Sequence, residues 1–294
     1  MTNEGSVTLR DGRVLSYAER GPADGFPVLH FHGLPTCRLE LDYVEPEAYE
    51  RRGLRVVCPD RPGIGASTRQ RGRGIGDWVG DVAAFADGLG IDRFAVSGLS
   101  AGGPYALACA HRLPERVLGV GVLCGVAPRE APGGHRMLCR GDRVMFALAR
   151  RAPALGAALV LQARRKARRK PERFVEEVRR DFPSEPDVAA LAGPAGGLFR
   201  TIFLEATRNG AGGVVDDYRA LGDDWGFALD EIDLPVHWVH GELDRTVPLE
   251  HGRWAADRIP GGELTVAAGE GHLLAPSCVT GMWARLKEAA DAYV

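Results

Sequence analysis

The chain has 294 residues, a length sufficient to bury a large hydrophobic core as one domain or as a domain that carries an insertion. Hydrophobic residues make up 45% and charged residues 26%, which is typical of globular proteins rather than of disordered or fibrous ones. The formal net charge of −2 gives no overall attraction to nucleic acid or to an anionic membrane surface, so neither is expected as a partner.

The N-terminal residues and the cysteines indicate the compartment. Residues 1–13 are polar and charged and lack the apolar stretch of a secretory signal. No run in the chain reaches the roughly 18 apolar residues of a membrane span. The six cysteines form no C-x-x-C pair and no cluster with metal-ligand spacing. We therefore expect a reduced, cytoplasmic protein that carries no metal and no other cofactor.

Short apolar runs alternate with helix-compatible stretches over the first 124 residues. Two strand-like runs flank the turn Asp11-Gly12, which is typical of a hairpin. Further strand-like runs lie at 27–32, 55–60, 94–100 and 117–124, separated by helix-like stretches around 39–52, 77–90 and 102–112. This alternation predicts an α/β fold with a mostly parallel central sheet that is flanked by helices on both faces.

The alternation stops after Cys124 and resumes at Pro235. Residues 128–232 contain no strand-like run, and prolines interrupt their helical patterns. Two more strand-like runs and a closing helix from about 276 complete the chain. We predict a core made of residues 1–127 and 233–294 and a helical cap (lid) insertion made of residues 128–232. The cap is expected over the carboxyl edge of the sheet, where open α/β sheets bind ligands.

Gly98-Leu-Ser-Ala-Gly102 is the most informative motif. It matches G-x-S-x-G, ends a strand-like run and opens a helix-like one at Gly103. A sharp strand-to-helix turn of this kind projects the serine hydroxyl, and the glycines let the backbone pass close to its neighbours. The free N–H groups at the helix start favour negative charge. Ser100 is therefore the predicted nucleophile.

A serine hydroxyl is a weak nucleophile and needs a base that takes its proton, most often a histidine. His237 and His240 lie in a strand-like run, and His251 lies at a probable helix start. His272 instead follows the glycine-rich loop 268–271, directly after a strand. An imidazole in such a loop can reach the projecting serine, so His272 is the predicted base.

The base should be held by a carboxylate that fixes its tautomer and stabilises the imidazolium. Asp244 lies in the loop that follows the preceding strand and is the predicted acid, with Glu242 as the alternative. Asp60 and Asp81 precede the serine in the chain, and we expect them to be structural.

The negative charge that develops during acyl transfer needs two backbone N–H donors. One oxyanion-hole donor is predicted at Ala101, directly after the nucleophile, and the other at Leu34 in the loop 32–35. The predicted substrate contacts are Gly33, Cys37 and Arg38, with buried structural roles as the alternative for the last two and pairing with a carboxylate as the alternative for the arginine.

Five features, in this order, resemble the α/β-hydrolase superfamily over nearly the whole chain apart from the insertion. They are His32-Gly-Leu-Pro35, Asp60-Arg-Pro-Gly-Ile-Gly-Ala-Ser67, the G-x-S-x-G turn, the Asp244 loop and the His272 loop. The second segment is similar to a turn of the epoxide hydrolase, haloperoxidase and peptidase-like branches. The resemblance implies the α/β-hydrolase fold and a serine hydrolase of the esterase, haloperoxidase and peptidase-like group.

At two motifs the chain differs from particular branches of the superfamily, and these differences reduce the number of activities that the resemblance implies. Epoxide hydrolases and haloalkane dehalogenases carry an aspartate where this chain has Ser100, which disfavours both activities. Proline iminopeptidases carry His-Gly-Gly-Pro-Gly where this chain has His-Gly-Leu-Pro-Thr, which disfavours a peptidase. We therefore predict an enzyme that hydrolyses a carboxylic ester, lactone or thioester of a small-molecule acyl substrate through an acyl-enzyme on Ser100. A monomer or a homodimer is expected.

Three alternatives remain open from the sequence. The same triad can serve an acyltransferase or cyclase, or a hydrolase of carbon–carbon bonds, and the scaffold can serve a non-catalytic ligand sensor. The basic run Arg164–Lys170 has two interpretations as well. It is typical of a solvated helix face, and it can also form a patch for an anionic substrate or partner.

Overall fold

Eight strands of the computed structural model, which describes residues 2–291, form one continuous sheet. They are β1 (Thr2–Thr8), β2 (Val14–Arg20), β3 (Phe26–Phe31), β4 (Leu54–Pro59), β5 (Phe94–Leu99), β6 (Val117–Leu123), β7 (Val236–Gly241) and β8 (Gly262–Ala267). Their order is β1-β2-β4-β3-β5-β6-β7-β8. The pairs β1–β2 and β2–β4 are antiparallel, and all other neighbouring pairs are parallel. The predicted mostly parallel sheet is confirmed.

Helices cover both faces of the sheet, as the apolar character of the central strands requires. The helices of the core are α1 (Pro46–Arg51), α2 (Ile75–Gly88), α3 (Gly103–Arg112), α10 (Leu249–Ala256) and α11 (Pro276–Asp291). Trp78 and Phe85 of α2 and Tyr105 of α3 pack in one hydrophobic cluster, and Tyr49 of α1 and Trp283 of α11 pack in another. Neighbouring residues of one strand enter different clusters, so these clusters lie on opposite faces.

Glycines in β6 allow α11 to approach the sheet closely. A Cβ added to Gly121 would lie 2.9 Å from the sulfur of Met282, and one added to Gly119 would lie 3.3 Å from the side chain of Leu286. The glycine-rich pattern of this strand therefore reflects close helix packing, which seats α11 against the middle of the sheet.

Six helices lie between β6 and β7 and form the segment that we name the helical insertion. They are α4 (Arg140–Arg151), α5 (Pro153–Arg169), α6 (Pro171–Val178), α7 (Glu185–Ala192), α8 (Pro194–Ala206) and α9 (Gly212–Gly222). Four of them, α5 to α8, have a proline in the first turn. Proline is tolerated there because the first N–H groups of a helix have no intrahelical partner. The prolines thus start helices, while the limits 128–232 of a separate cap stay a prediction.

None of the helices within residues 2–291 combines the length and the apolar character that crossing a membrane requires.

Candidate active site

Ser100 follows the last residue of β5, in the turn that leads into α3. Its φ is +53°, in the left-handed region that residues with a side chain rarely adopt. A Cβ on Gly98 would lie 2.2 Å from the carbonyl oxygen of Gly102, and one on Gly102 would lie 1.9 Å from the carbonyl oxygen of Phe31. The turn therefore needs both glycines of the G-x-S-x-G motif and projects Ser100 from a tightly packed backbone.

A cavity of about 550 Å³ lies between Ser100 and the helical insertion, and we name it the serine cavity. Its size is typical of small-molecule sites. His272 and Leu34 line it on the side of the core. The insertion contributes many apolar side chains, including Met145, Leu159, Val160, Phe174, Phe182, Phe199 and Phe203. The structure thus brings the predicted nucleophile and the predicted base to one apolar cavity.

The imidazole of His272 is hydrogen-bonded to the carboxylate of Asp244. The distance from Nδ1 of His272 to Oδ2 of Asp244 is 2.7 Å, and both side chains are buried. The backbone N–H groups of Thr246 and Val247 donate to Oδ1 of Asp244 at 2.8 and 2.9 Å. The alternative acid, Glu242, instead accepts the backbone N–H of Gly269 at 3.0 Å. Of the two carboxylates, Asp244 is therefore the one placed to orient the imidazole.

The negative charge of Asp244 and the positive charge of protonated His272 stabilise each other. Burial opposes the charge of Asp244, but the adjacent His272 and the hydrogen bond from His240 hold the pKa of this carboxyl well below its usual range. Burial likewise opposes the imidazolium, but Asp244 outweighs it and raises the pKa of His272 above its ordinary value. Nδ1 of His272 is thus kept protonated, and Nε2 is left to accept a proton.

No hydrogen bond joins the Ser100 hydroxyl to His272 within the described part of the chain. Such contacts are often long in ligand-free sites and shorten when substrate binds. Ser100 and His272 both line the serine cavity, without a formed hydrogen bond between them.

Asp187, in α7 of the helical insertion, holds the His272 loop and was not predicted from the sequence. Its carboxylate is fully buried and accepts the backbone N–H groups of His272 at 2.9 Å and Leu273 at 2.8 Å. The Ser184 hydroxyl donates to the same carboxylate at 2.5 Å. A Cβ on Gly271 would lie 2.4 Å from this carboxylate, so the loop needs glycine there. The spacing from Ser184 to Asp187 is that of a capping box, which predicts the start of a helix. It does not predict that Asp187 binds a loop that is distant in the sequence.

Two side chains fix the Gly33–Leu34 peptide of the loop 32–35, which we name the oxyanion loop after its predicted role. The carbonyl oxygen of Gly33 accepts Nη2 of Arg61 at 3.0 Å and Nδ1 of His32 at 2.8 Å. In a trans peptide the N–H points opposite to the carbonyl, so the N–H of Leu34 points away from Arg61. This N–H has no acceptor within residues 2–291. It is therefore available as the predicted oxyanion donor.

The loop also lies next to the nucleophile. A Cβ on Gly33 would be 3.5 Å from the Cβ of Ser100. Ala101 is the second residue of the short 3₁₀ turn Ser100–Gly102, and the first N–H groups of a helical turn lack intrahelical acceptors. Gly33 thus lies next to Ser100, and Ala101 follows it directly in the chain. The oxyanion-hole roles of Leu34 and Ala101 and the contact of Gly33 with substrate stay predictions.

Arg61 is in turn held by the helical insertion. Its Nε donates to Oδ2 of Asp217 on α9 at 2.9 Å, and both residues are completely buried. Arg73 donates to the same carboxylate. Burial opposes the charge of Asp217, but the two arginines outweigh it and lower the pKa of Asp217 to about 2. The oxyanion loop is therefore connected to α9 through a buried network of charged side chains.

Glu40 supports the other side of the loop. Its Oε2 accepts the backbone N–H of Gly33 at 3.0 Å and the hydroxyl of Thr36 at 2.5 Å. Its Oε1 lies 3.0 Å from Nε2 of His30. This buried carboxylate was not predicted from the sequence, and it accepts the hydrogen bonds that hold the turn beginning at Gly33.

Cys37 and Arg38 require a correction. Cys37 is completely buried, and its thiol donates to the carbonyl oxygen of Ile202 at 3.5 Å. Arg38 is buried among carboxylates and pairs with Glu4, Asp60 and Glu205. Neither side chain lines the serine cavity. Both residues make buried structural contacts, which were the alternative interpretations, instead of lining the serine cavity.

Cys124, Asp244 and His272 place their ligand atoms within 4.8 Å of one another, a spacing that a metal site also shows. A thiol binds metal as the thiolate. Burial, followed by the charge of Asp244, raises the pKa of the Cys124 thiol well above its ordinary value. Nδ1 of His272 is also engaged by Asp244. These residues fit a hydrogen-bonded pair backed by a neutral thiol better than they fit a metal centre.

Known proteins share both the sequence pattern and the fold. The family model of the alpha/beta hydrolase fold matches residues 27–276. A bifunctional esterase/perhydrolase from Acinetobacter calcoaceticus is 26% identical over 91% of this chain and 92% of its own. A hydrolase from Pseudomonas aeruginosa has a TM-score of 0.73 and 22% identity over 97% of this chain and 98% of that one. A thermophilic esterase from Thermogutta terrifontis has a TM-score of 0.70 and 22% identity over 98% and 99%. The resemblance stated from the motifs is confirmed, and the chain belongs to the alpha/beta hydrolase fold family.

Proposed function

We propose that the chain hydrolyses carboxylic esters, with lactones and thioesters in the same class, through an acyl-enzyme on Ser100. The observation that carries this proposal is that Ser100, on a strained turn, lines the same cavity as His272, whose Nδ1 is hydrogen-bonded to buried Asp244. This set of groups is what nucleophilic acyl transfer needs: a nucleophile, a base and a residue that orients the base.

In the first half of the reaction, Nε2 of His272 takes the proton of Ser100 as Oγ attacks the carbonyl carbon. The Leu34 and Ala101 N–H groups stabilise the negative oxygen of the tetrahedral intermediate. The bond to the alcohol or thiol then breaks, and His272 returns its proton to the leaving group. In the second half, water attacks the acyl-enzyme in the same manner and releases the acid, which regenerates the Ser100 hydroxyl.

The lining of the serine cavity favours a substrate with an apolar acyl or alcohol part. Four phenylalanines of the insertion contribute to this lining: Phe174, Phe182, Phe199 and Phe203. Burial of apolar surface contributes roughly 25 cal/mol for each Å², and aromatic side chains offer large contact areas. The relative from Acinetobacter, named as an esterase and perhydrolase, supports ester chemistry as the class of reaction.

Initial rates with p-nitrophenyl esters of increasing acyl length test the proposal. We expect wild-type turnover and a loss of at least about a thousandfold in kcat for Ser100→Ala, because members of a triad act as one unit. Ser6→Ala is the matched control, since Ser6 is exposed on β1. Retention of most of the turnover by Ser100→Ala, with the control unchanged, would contradict the proposal.

A further inference from the structure

The first half of the helical insertion is strongly basic although the whole chain is slightly acidic. Residues 129–180 contain 15 arginines and lysines and only five aspartates and glutamates, in a chain with a net charge of −2. A local excess of one charge is unfavourable unless counter-ions or a ligand compensate it. The place where these side chains converge therefore indicates what the segment binds.

Six arginines converge on a second cleft, of about 540 Å³, which we name the arginine cleft. They are Arg129, Arg136, Arg143, Arg150, Arg151 and Arg219. Asp223 is the one carboxylate among the lining residues, and it lies directly after α9, 3.6 Å from Arg219 of that helix. The other five arginines have no ion pair within residues 2–291 and are exposed. The cleft thus presents five uncompensated positive charges.

The floor of the arginine cleft holds a polar atom without a partner. The ring of His135 stacks on Phe146, with 4.1 Å between the ring centroids. Nε2 of His135 is buried and has no hydrogen-bond partner in the described part of the chain. Burial lowers the pKa of His135 to about 4, so the ring is neutral near pH 7. A buried nitrogen without a hydrogen-bond partner lowers the stability of the fold, and an oxygen atom of a ligand in the cleft can form that hydrogen bond.

We propose that the arginine cleft binds a small polyanion that carries at least two phosphate groups, at a site separate from the serine cavity. The guanidinium fork matches phosphate oxygens with paired hydrogen bonds. One carboxylate or one phosphate leaves most of the five charges uncompensated, whereas a diphosphate neutralises several of them. The concave shape and the volume suit a small molecule better than a membrane or a nucleic-acid duplex.

Helix α4 is the wall that separates the two cavities. Its Asp142 and Met145 line the serine cavity, and its Arg143 and Arg150 line the arginine cleft. Tyr218 lines both cavities and donates to Asp142 at 2.6 Å. A bound anion therefore contacts the back of the helix that faces the ester site, without contact to Ser100 or His272.

The other basic run of the insertion offers a matched comparison. Arg164 donates to Thr207 at 2.9 Å, and Lys166 pairs with Glu177, so these two residues stabilise the packing of α5. Arg165 and Arg168 line a groove of about 520 Å³ that is formed by α5 alone. None of its lining residues within the described part of the chain carries a buried polar atom without a partner. Their removal changes the net charge as much as removal of Arg143 and Arg150, but leaves the arginine cleft intact.

Isothermal titration calorimetry with inorganic pyrophosphate at low ionic strength tests the proposal on the full chain. We expect saturable, one-to-one binding that weakens as salt is added. Arg143→Gln with Arg150→Gln should raise Kd by at least about tenfold, since two charge-assisted contacts are lost. Arg165→Gln with Arg168→Gln should leave Kd within about twofold of wild type. Thermal unfolding of each variant verifies that it is folded.

Three outcomes would overturn the proposal. The first is the absence of saturable pyrophosphate binding by the wild-type chain. The second is an equal loss of binding in both double variants, which shows general attraction to a basic surface. The third is tighter binding of anionic vesicles or RNA than of pyrophosphate, unaffected by the changes at Arg143 and Arg150. Because binding is measured directly, these outcomes do not depend on ester hydrolysis.

Discussion

Arg61 and Asp217 form a completely buried ion pair that connects the oxyanion loop of the core with helix α9 of the insertion. The two residues are 156 positions apart in the chain. Arg61 donates to the carbonyl oxygens of His32 at 2.5 Å and Gly33 at 3.0 Å, and the N–H of Leu34 therefore points away from Arg61. The orientation of a proposed oxyanion donor thus depends on a carboxylate of the helical insertion.

Replacement of Asp217 should therefore reduce catalysis without direct contact to substrate. We expect Asp217→Asn to lower kcat by about 10- to 100-fold, with a smaller change in KM, because one oxyanion donor contributes about 100-fold or more. Breaking the buried pair should also lower the free energy of unfolding by about 3–5 kcal/mol. Steady-state kinetics and urea denaturation measure these effects.

Asp216→Asn is the control for this prediction. Asp216 is the neighbouring carboxylate and pairs with Arg69 at the surface instead. Surface pairs contribute at most about 1 kcal/mol, so both kcat and stability should remain close to wild type. An unchanged kcat in Asp217→Asn, measured on folded protein, would show that the ion pair does not position the loop.

Asp187 should position His272 through the backbone and through its charge. Asp187→Asn keeps one acceptor for the His272 loop but removes a negative charge that helps to raise the pKa of His272. We expect a loss of about tenfold in kcat/KM and a shift of its acidic limb toward lower pH. The pH profile distinguishes this role from a purely structural one, which would lower activity without moving the limb.

The activity should rise with pH as His272 loses its proton. Burial acts to lower the pKa of His272, but Asp244 and other carboxylates outweigh it, so the midpoint should lie above the ordinary value of about 6.5. Asp244→Asn removes the charge that stabilises the imidazolium. Its residual activity should therefore show a midpoint at lower pH, and kcat should fall by about 10⁴-fold. A midpoint that stays in place in Asp244→Asn would contradict the assignment of the acid.

Leu159 should contribute to substrate binding at the mouth of the serine cavity. Its side chain is 42% exposed and lines the cavity, whereas Leu161 on the same helix is 48% exposed and does not line it. We expect Leu159→Ser to raise KM for apolar esters about fivefold, since part of a leucine contact is lost, and Leu161→Ser to leave KM unchanged. Equal effects in the two variants would place the substrate elsewhere.

The sequence alone predicted the features that depend on residues close together in the chain. The alternation of strands and helices predicted the sheet, and the G-x-S-x-G motif predicted the turn at Ser100, because both depend on residues that are close in the chain. Asp187 and Asp217 could not be found in this way, since each acts on a loop that is distant in sequence. The directions of the Cys37 and Arg38 side chains were missed because proximity to a loop does not determine which side chain faces the cavity.

Reaction with a fluorophosphonate, followed by peptide mass mapping, tests the central claim most directly. We predict one adduct on the peptide that contains Ser100 and its loss in His272→Ala, while circular dichroism shows that the variant remains folded. An adduct on a different serine would contradict the account. So would an unlabelled wild-type chain whose serine cavity is shown to bind small apolar ligands.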